Sequence, residues 1–247
     1  MLIVANWKAY VDSAEKAKKL FATAKRLATY PDIDIVLAPS APYLGLLAPG
    51  NRSKVGIAAQ DLSTVSGGAA TGEITSSMLR SLGVTHVILG HSERRALGET
   101  DAIVSEKVRQ AFSNKIIPIL CVGERERDAD GKYLTFLRTQ LHAIFSILSA
   151  KEKFQIIVAY EPIWAIGKTA EEAITPNDLT EMMLYIRKVI GAYIPGTGSS
   201  KVSVIYGGSV EPSNVKALTE ETGIDGFLAG HASVDSDIFT GLVKAVR

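Results

Sequence analysis

IIPILCV, at residues 116–122, is an apolar run that is followed by a polar loop and then by a pattern typical of a helix. A run of this kind has no face that suits water, which indicates a parallel strand buried on both sides. The same arrangement recurs along the chain. The other strand candidates are Leu2–Ala5, Ile33–Ala38, Val55–Ala59, His86–Leu89, Gln155–Tyr160, Val202–Tyr206 and Gly226–Ala229.

Eight strands, each followed by a helical segment, predict a fold of the α/β class, a single (β/α)8 barrel. The chain has 247 residues and no Pro- or Gly-rich linker divides it. We therefore expect residues 1–247 to form one catalytic domain. An open, doubly wound sheet is the alternative, but at this length it would normally show a domain break or a Gly-x-Gly-x-x-Gly motif after the first strand. The sequence shows no such motif there.

The composition argues against some classes of binding partner. Twenty-seven Lys and Arg balance 26 Asp and Glu, whereas proteins that track nucleic-acid phosphates carry a clear basic excess. No run approaches the ~20 apolar residues needed to cross a membrane, and the first apolar run is too short for a signal peptide. Cys121 is the only cysteine, which excludes an intrachain disulfide and a cysteine-based metal cluster. We expect a cytoplasmic protein that binds neither nucleic acid nor membranes.

Candidate site residues lie after the strands, because active sites of β/α barrels form where the strands end. The first strand leads into Asn6-Trp7-Lys8. An ammonium group here would point into the mouth of the barrel and could neutralise an anionic substrate. The alternative is a surface lysine beside a packed tryptophan.

The fourth strand is followed by Gly90-His91-Ser92-Glu93. We expect Ser92 to cap the helix that follows and Glu93 to suit the positive end of the helix dipole. At such a helix start, His91 would be held neutral and could act as an electrophile and a proton shuttle. A structural role for His91 is the alternative.

The sixth strand leads directly into Glu161. A carboxylate that leaves a buried strand beside an apolar loop is partly desolvated, which makes it a better base. Residues 162–168 read PIWAIGK, with Pro and Trp at one end and a Gly further on, which is typical of a hinged lid. The alternative is a Glu161 that forms a salt bridge with a lysine.

The last two strands are followed by small residues. Gly207-Gly208-Ser209 follows the seventh strand, and Gly230-His231 follows the eighth. Backbone N–H groups in such loops, together with the start of a short helix, can bind a phosphate. A single Gly-Gly pair is a weak signal, but two such loops on adjacent strands indicate a phosphate site.

Six segments together resemble the triosephosphate isomerase family, over nearly the whole chain and in the family's order. They are Asn6-Trp7-Lys8, Thr71-Gly72-Glu73, Gly90 to Arg95, Cys121-Val122-Gly123-Glu124, Tyr160 to Gly167 and Tyr206 to Val210. The resemblance implies an isomerase of glycolysis and gluconeogenesis that interconverts dihydroxyacetone phosphate and D-glyceraldehyde 3-phosphate through an enediol(ate). It implies no cofactor and no metal ion.

The resemblance also implies roles for individual residues. Glu161 would be the base that moves a proton between two carbons, and His91 would polarise the carbonyl group and shuttle protons between the oxygens. Lys8 and Asn6 would stabilise negative charge on the substrate oxygen and the phosphate, with Glu93 as a supporting carboxylate. The phosphate contacts would come from Gly167, Ser209, Gly230 and His231. The lid would consist of Pro162, Ile163, Trp164, Ala165, Ile166, Gly167 and Lys168, with Leu228 and Ile166 clamped over Glu161.

The family dimerises through a protruding loop, which the resemblance places at residues 61–73. Thr71, Gly72 and Glu73 are therefore expected at a homodimer interface, with Thr71 near the partner's active site. Asp61 stands where family members usually have Asn, and Ala70 stands where they usually have a larger residue. Both changes lead us to expect a different interface strength.

Two departures from the family fall within the site. Gly167 runs directly into Lys168, so the lid lacks two residues at its closing hinge, although residues 170–174 look extended by comparison. His231 occupies a position that is usually Gly. Either it is a tolerated replacement whose backbone N–H still faces the phosphate, or its imidazolium contacts the phosphate directly.

Two other functions remain open. Another phosphosugar barrel, such as a synthase or an epimerase, would share the two phosphate loops but should lack the combination of Lys8, His91 and Glu161. A catalytically slow or silent phosphometabolite-binding barrel would keep the same cavity, and the shortened lid would account for its slowness.

Overall fold

The eight apolar runs form parallel strands that close into a barrel in the computed structural model of the chain, which describes residues 1–168 and 174–247. The strands are β1 (Leu2–Asn6), β2 (Asp34–Ala38), β3 (Gly56–Ala59), β4 (His86–Leu89), β5 (Ile117–Val122), β6 (Ile157–Tyr160), β7 (Val204–Tyr206) and β8 (Gly226–Ala229). Their order around the barrel is their order along the chain, and β1 pairs with β8 to close the ring. The predicted (β/α)8 barrel is confirmed.

The strand boundaries differ from the prediction mainly at their starts. β4 and β8 have the predicted bounds, and β1 extends one residue further to Asn6, which lies opposite Ala38. The prediction is wrong at the starts of the other five strands, which begin after Ile33, Val55, Ile116, Ile156 and Ser203. The backbone N–H groups of Ile33 and Ile116 donate to the carbonyl oxygens of Tyr30 and Ala111 instead of to a neighbouring strand. Both isoleucines are buried. Apolar character marks burial, and it does not separate a strand from the buried turn that leads into it.

Helices alternate with the strands and cover the outside of the barrel. They are α1 (Ala14–Leu27), α2 (Ala41–Leu47), α3 (Ser76–Ser81), α4 (Ser92–Ala96), α5 (Asp101–Ser113), α6 (Lys132–Phe145), α7 (Pro176–Gly191), α8 (Val215–Thr222) and α9 (Ser236–Ala245). Short 3-10 helices occur at Glu152–Phe154, Ile163–Ala165, Gly196–Lys201 and His231–Ser233. In the described ranges, 1–168 and 174–247, no helix combines the length and apolar character needed to cross a bilayer.

Two apolar layers hold the barrel together. Inward-pointing side chains such as Val4, Val36, Ile88 and Ile119 fill its interior. Their strand neighbours, such as Ile3, point outward and belong to the layer that packs beneath the helices. Both faces of each strand are therefore buried, which is the reason for the continuous apolar runs. Because the interior is filled, a binding site has to form at the mouth, where the strands lead into loops.

His86, at the start of β4, makes folding sensitive to acid. Burial lowers the pKa of His86 from 6.5 to about 4. Between these two pH values the unfolded chain binds a proton at His86 that the folded chain does not bind. The free energy of unfolding therefore rises with pH across this window. Above the window, His86 no longer makes the free energy of unfolding depend on pH. We expect His86 to remove up to about 3 kcal/mol of stability as the pH falls through the window.

The measurement is urea unfolding of the wild type and of His86→Gln at about pH 7 and about pH 4.5. The variant should lose less stability between the two pH values than the wild type does. Equal losses in both proteins would show that His86 does not cause this part of the acid sensitivity.

Candidate active site

A cavity of about 360 Å³ opens at the carboxyl-terminal mouth of the barrel. The ends of β1, β4, β6, β7 and β8 contribute to its wall. All the residues expected to convert or bind the substrate line this cavity, namely Asn6, Lys8, His91, Glu93, Glu161, Gly167, Ser209, Gly230 and His231. Closure of the barrel therefore brings together residues from distant parts of the chain.

Glu161 is the buried carboxylate of the cavity. It directly follows β6 and is 2% exposed. Its Oε2 accepts a hydrogen bond from the backbone N–H of Ser92 (3.1 Å), and its Oε1 lies 3.1 Å from Nε2 of His91. Lys8, the lysine expected at this mouth, pairs with Glu93 instead. The carboxylate thus faces an imidazole and a backbone amide, and the alternative of a lysine salt bridge is not supported.

His91 is the N-cap of α4 and is 6% exposed. Its Nδ1 accepts a hydrogen bond from the backbone N–H of Glu93 (3.2 Å). A ring nitrogen that accepts a hydrogen bond carries no proton, so the neutral ring has its proton on Nε2, the nitrogen that faces Glu161. The expectation that Ser92 caps the helix is wrong, because Ser92 is its first residue and the imidazole occupies the capping position.

Lys8 and Glu93 form an ion pair at the rim of the cavity. The Nζ atom of Lys8 lies 3.0 Å from Oε1 of Glu93, and Oε2 of Glu93 lies 3.8 Å from Nδ1 of His91. The Glu93 side chain is 61% exposed. An ion pair that water reaches contributes little stability, so the ammonium group can exchange its carboxylate partner for an anionic ligand at small cost.

The backbone of Lys8 is strained. Its φ of 45° lies in the left-handed region, which residues with a Cβ rarely adopt. Its carbonyl oxygen accepts hydrogen bonds from Oγ of Ser40 (2.7 Å) and Nε2 of Gln60 (2.9 Å), and its N–H donates to Oδ1 of Asn6 (3.0 Å). These contacts hold the conformation that aims the ammonium group into the cavity. Nothing in the sequence pointed to Ser40 and Gln60, because neither belongs to a recognisable motif.

A buried ion network supports the backbone next to His91. The Nζ atom of Lys107 contacts Oε1 of Glu99 and lies 2.6 Å from Oδ1 of Asp61. The other oxygen of Glu99 accepts a hydrogen bond from the N–H of Gly90 (3.1 Å), the residue that precedes His91. Asp61, which stands where the family usually has Asn, is therefore connected through two side chains to the site.

Glycines allow other backbone segments to approach Glu161. A Cβ at Gly207 would lie 2.9 Å from Cγ of Glu161, and a Cβ at Gly123 would overlap the carbonyl oxygen of Glu161. Neither glycine has a positive φ. Glycine is therefore required at these positions by the close approach of Glu161 and not by the backbone conformation. The position of the carboxylate thus depends on the two glycines.

Gly207→Ala should displace the Glu161 carboxylate, because packed interiors leave no room for an added methyl group. We expect kcat to fall on the order of 10²-fold, which is the scale of a misplacement of about 1 Å, and stability to fall by about 1–3 kcal/mol. Gly45→Ala in α2 is the matched control, because a Cβ there meets nothing within 4 Å. Steady-state kinetics and urea unfolding measure both effects, and wild-type kcat in Gly207→Ala would show that Gly207 does not position the carboxylate.

The lid is anchored at its amino-terminal end. The N–H of Ile163 donates to the carbonyl oxygen of Glu124 (2.9 Å), and Nε1 of Trp164 donates to Oε1 of the same residue (2.9 Å). The guanidinium group of Arg127 lies over the Trp164 ring at 4.9 Å from its centre. These contacts hold the first residues of the segment expected to form the lid.

The rest of the described lid faces the cavity. Ile166 and Leu228 line it together with Glu161, and Gly167, with a φ of 73°, has a conformation that favours glycine. The hydroxyl of Ser209 donates to the carbonyl oxygen of Ala165 (3.0 Å), which connects the lid to the loop after β7. The extension expected at residues 170–174 lies, apart from Ile174, outside the described residues.

The loops after β7 and β8 carry Glu211 and His231, and both line the cavity. The sequence left two alternatives open for His231. Glu211, which was missed, has its Oε1 3.9 Å from Nδ1 of His231. Tyr10, also missed, places its ring edge-on to His231, with the ring centres 6.2 Å apart. Glu211 follows the predicted phosphate loop directly, so its position in the sequence was an available signal, whereas nothing in the sequence pointed to Tyr10.

Within residues 1–168 and 174–247 no group of three or more His, Cys, Asp or Glu side chains is arranged to hold a metal ion. Cys121 lies inside the barrel, and burial, followed by the charge of Glu161, raises the pKa of its thiol well above the usual value. A larger cavity of about 570 Å³ involves Glu124 and Gln140 but neither Glu161 nor His91.

The residues expected at a dimer interface lie outside the cavity. Thr71, Gly72 and Glu73 are exposed in the long loop between β3 and α3. Large apolar side chains are exposed in or beside the same loop, namely Val65, Ile74 and Met78. The loop therefore presents an apolar surface that the isolated chain does not cover.

The fold and the site together define a β/α-barrel protein equipped for proton transfer, with a buried carboxylate and an imidazole 3.1 Å apart in one cavity. The family model described as triosephosphate isomerase matches residues 1–246. The triosephosphate isomerase of Flavobacterium johnsoniae is 36% identical over 252 residues, which cover 99% of this chain and 98% of the relative. That of Moorella thermoacetica is 38% identical, with 98% and 97% covered. The chain belongs to the triosephosphate isomerase family.

Proposed function

We propose that Glu161 and His91 are the residues with which this isomerase interconverts dihydroxyacetone phosphate and D-glyceraldehyde 3-phosphate. The observation that carries the proposal is the 3.1 Å contact between Oε1 of Glu161 and Nε2 of His91 in a cavity that also holds Lys8. A different phosphosugar barrel, such as a synthase or an epimerase, is set aside because of the family assignment.

Glu161 takes a proton from the carbon next to the carbonyl group of the substrate. The C–H electron pair moves to form the enediolate, and the negative charge develops on the carbonyl oxygen. The same carboxylic acid then returns the proton to the neighbouring carbon. The low exposure of Glu161, 2%, supports this role, because water is kept away from the carboxylate and the reacting carbon.

His91 and Lys8 stabilise the charge that develops on the oxygen. The Nε2–H of His91 donates a hydrogen bond to the substrate oxygen and moves a proton between the two oxygens. The ammonium group of Lys8 leaves Glu93 in part to face the same charge, and Asn6 supports it through its hydrogen bond to the Lys8 backbone. Donors that are held in place before the reaction stabilise an oxyanion far more than mobile ones do.

The substrate phosphate lies between the loops after β7 and β8. Gly167, Ser209, Gly230 and the backbone N–H of His231 contact it, and Asn6 and Lys8 face it from the end of β1 and the loop that follows. The lid of residues 162–168 then closes, with Ile166 and Leu228 over Glu161. Exclusion of water protects the enediolate phosphate, which would otherwise lose its phosphate group.

The test is a coupled assay in both directions, combined with proton NMR in D2O. We expect turnover of both triose phosphates and deuterium on the product carbon that receives the proton, the hydroxyl-bearing carbon next to the carbonyl group, because the proton on Glu161 exchanges with solvent. Binding of phosphoglycolate without turnover would favour the slow or silent phosphometabolite-binding barrel. Turnover without any deuterium in the product would argue against an exchanging carboxylate base.

We also propose that residues 1–247 act as a single catalytic domain in a cytoplasmic homodimer. The exposed apolar side chains Val65, Ile74 and Met78 support an interface through the loop 61–73, with Thr71, Gly72 and Glu73 directed to the partner. Sedimentation at the mass of two chains, and at the mass of one chain for Ile74→Lys, is the expected result. A wild-type protein that sediments as one chain at micromolar concentration would refute the dimer.

A further inference from the structure

Glu211 is a carboxylate in the wall of a cavity that receives a phosphate ester. It follows β7 beside Ser209 and Val210, and it lines the cavity together with Lys8 and Glu161. The proposed chemistry gives it no role. A negative charge at this end should repel the phosphate dianion, unless a positive charge lies close enough to neutralise it.

His231 is placed to supply that positive charge. Its Nδ1 lies 3.9 Å from Oε1 of Glu211, a distance at which the two form an ion pair when the imidazole is protonated. Among the residues that the structure describes, no other basic side chain lies within 4 Å of this carboxylate. The pair joins the loop after β7 to the loop after β8, the two loops that hold the phosphate.

Tyr10 limits where the imidazole can go. Its ring stands at 84° to the His231 ring, with 6.2 Å between the centres, so it covers one side of an otherwise exposed side chain. The other charged groups that line the cavity are Lys8, Glu93, Glu161 and Lys168. Lys8 is paired with Glu93, and of the described cations that line the cavity His231 is the one that lies within 4 Å of Glu211.

We propose that His231 acts as the counter-ion of Glu211, so that the phosphate ester meets a neutral pair instead of a bare carboxylate. This inference rests on the proposed function, because the proposed function places the substrate phosphate at this end of the cavity. His231 then influences phosphate affinity mainly through Glu211, and Tyr10 is a positioning residue for the imidazole. The pair makes affinity depend on pH through one side chain that family members usually lack.

A double-substitution cycle separates this role from a direct contact. The proteins are the wild type, His231→Asn, Glu211→Gln and the double variant, and calorimetry at about pH 6, where imidazoles are largely protonated, measures the affinity for inorganic phosphate. We expect His231→Asn to weaken binding about 2- to 5-fold and Glu211→Gln to strengthen it by a similar factor, the range of exposed ion pairs. The double variant should bind within about 2-fold of the wild type.

Steady-state kinetics on dihydroxyacetone phosphate should show the same order in KM, with smaller changes in kcat, because the pair acts on binding and not on the reacting carbons. The ratio of KM in His231→Asn to KM in the wild type should approach one at about pH 8, because imidazoles in general lose their charge between about pH 5 and 8. Titration of the phosphate itself cancels in this ratio. The ratio should also approach one in about 0.5 M NaCl, because salt screens exposed charges. His142→Asn, on the exposed face of α6, is the control for removing a histidine.

The outcomes separate this inference from the proposed function. If Glu211→Gln leaves phosphate affinity unchanged while His231→Asn weakens it with or without Glu211, the imidazole acts directly on the phosphate and the counter-ion role is refuted. Equal affinity in all four proteins refutes it as well, even if turnover is normal. The expected order of affinities without any turnover of triose phosphates would refute the proposed function and leave the charge pair standing.

Discussion

Glu161→Gln should lower kcat by about 10²–10⁴-fold, the usual contribution of one positioned general base. The amide is nearly isosteric with the carboxylate but cannot take up a proton from carbon. Its oxygen can still accept the hydrogen bond from the N–H of Ser92, so we expect the fold to persist and phosphoglycolate affinity to stay within about 10-fold of the wild-type value. Loss of turnover with retained binding is the signature of a group that acts in the transition state.

The control for this experiment is Glu220→Gln, a carboxylate on α8 that is 64% exposed and does not line the cavity. It should leave kcat unchanged. Glu161→Asp is a second probe, because it keeps the base but withdraws it by one methylene group, and its kcat should lie between those of the wild type and Glu161→Gln. Near-normal turnover in Glu161→Gln would remove the base assignment.

His91→Asn should lower kcat by about 10²–10³-fold, the cost of losing one preorganised oxyanion donor. Asn is a favourable N-cap, so it can accept the hydrogen bond that His91 Nδ1 now accepts from the N–H of Glu93. The helix start should therefore survive while the Nε2–H that faces Glu161 is lost. Stopped-flow or steady-state kinetics measure the fall, and circular dichroism measures whether the fold persists.

Two results would contradict the role of His91. A kcat within about threefold of the wild type would mean that neither the donor nor the proton shuttle is needed, since the expected loss is far larger. A fall in kcat that accompanies a large loss of stability would mean that the imidazole serves turnover only through its capping of α4. A second variant, His91→Gln, tests this point, because its longer amide reaches the cavity but caps poorly.

Much of the site could be predicted because a β/α barrel places the end of every strand at one mouth. Once β1, β4, β6, β7 and β8 were recognised, the residues that follow them were the candidates, and the structure brings all nine expected substrate residues to one cavity. The prediction failed where a local pattern had two readings. Ser92 matched a cap by residue type, but the imidazole of His91 reaches the free N–H of Glu93 and takes that position.

The sequence by itself determined the strands, their burial on both faces and the set of reactive groups, because hydrophobic spacing and residue type are local properties. Only the tertiary structure decided which groups touch. The contact of His91 with Glu161, the clamp of Gln60 on the Lys8 backbone and the pair of Glu211 with His231 join residues from different β/α units. Such contacts depend on distances that exist only after β1 pairs with β8, and those distances set the tautomer of His91 and the strain at Lys8.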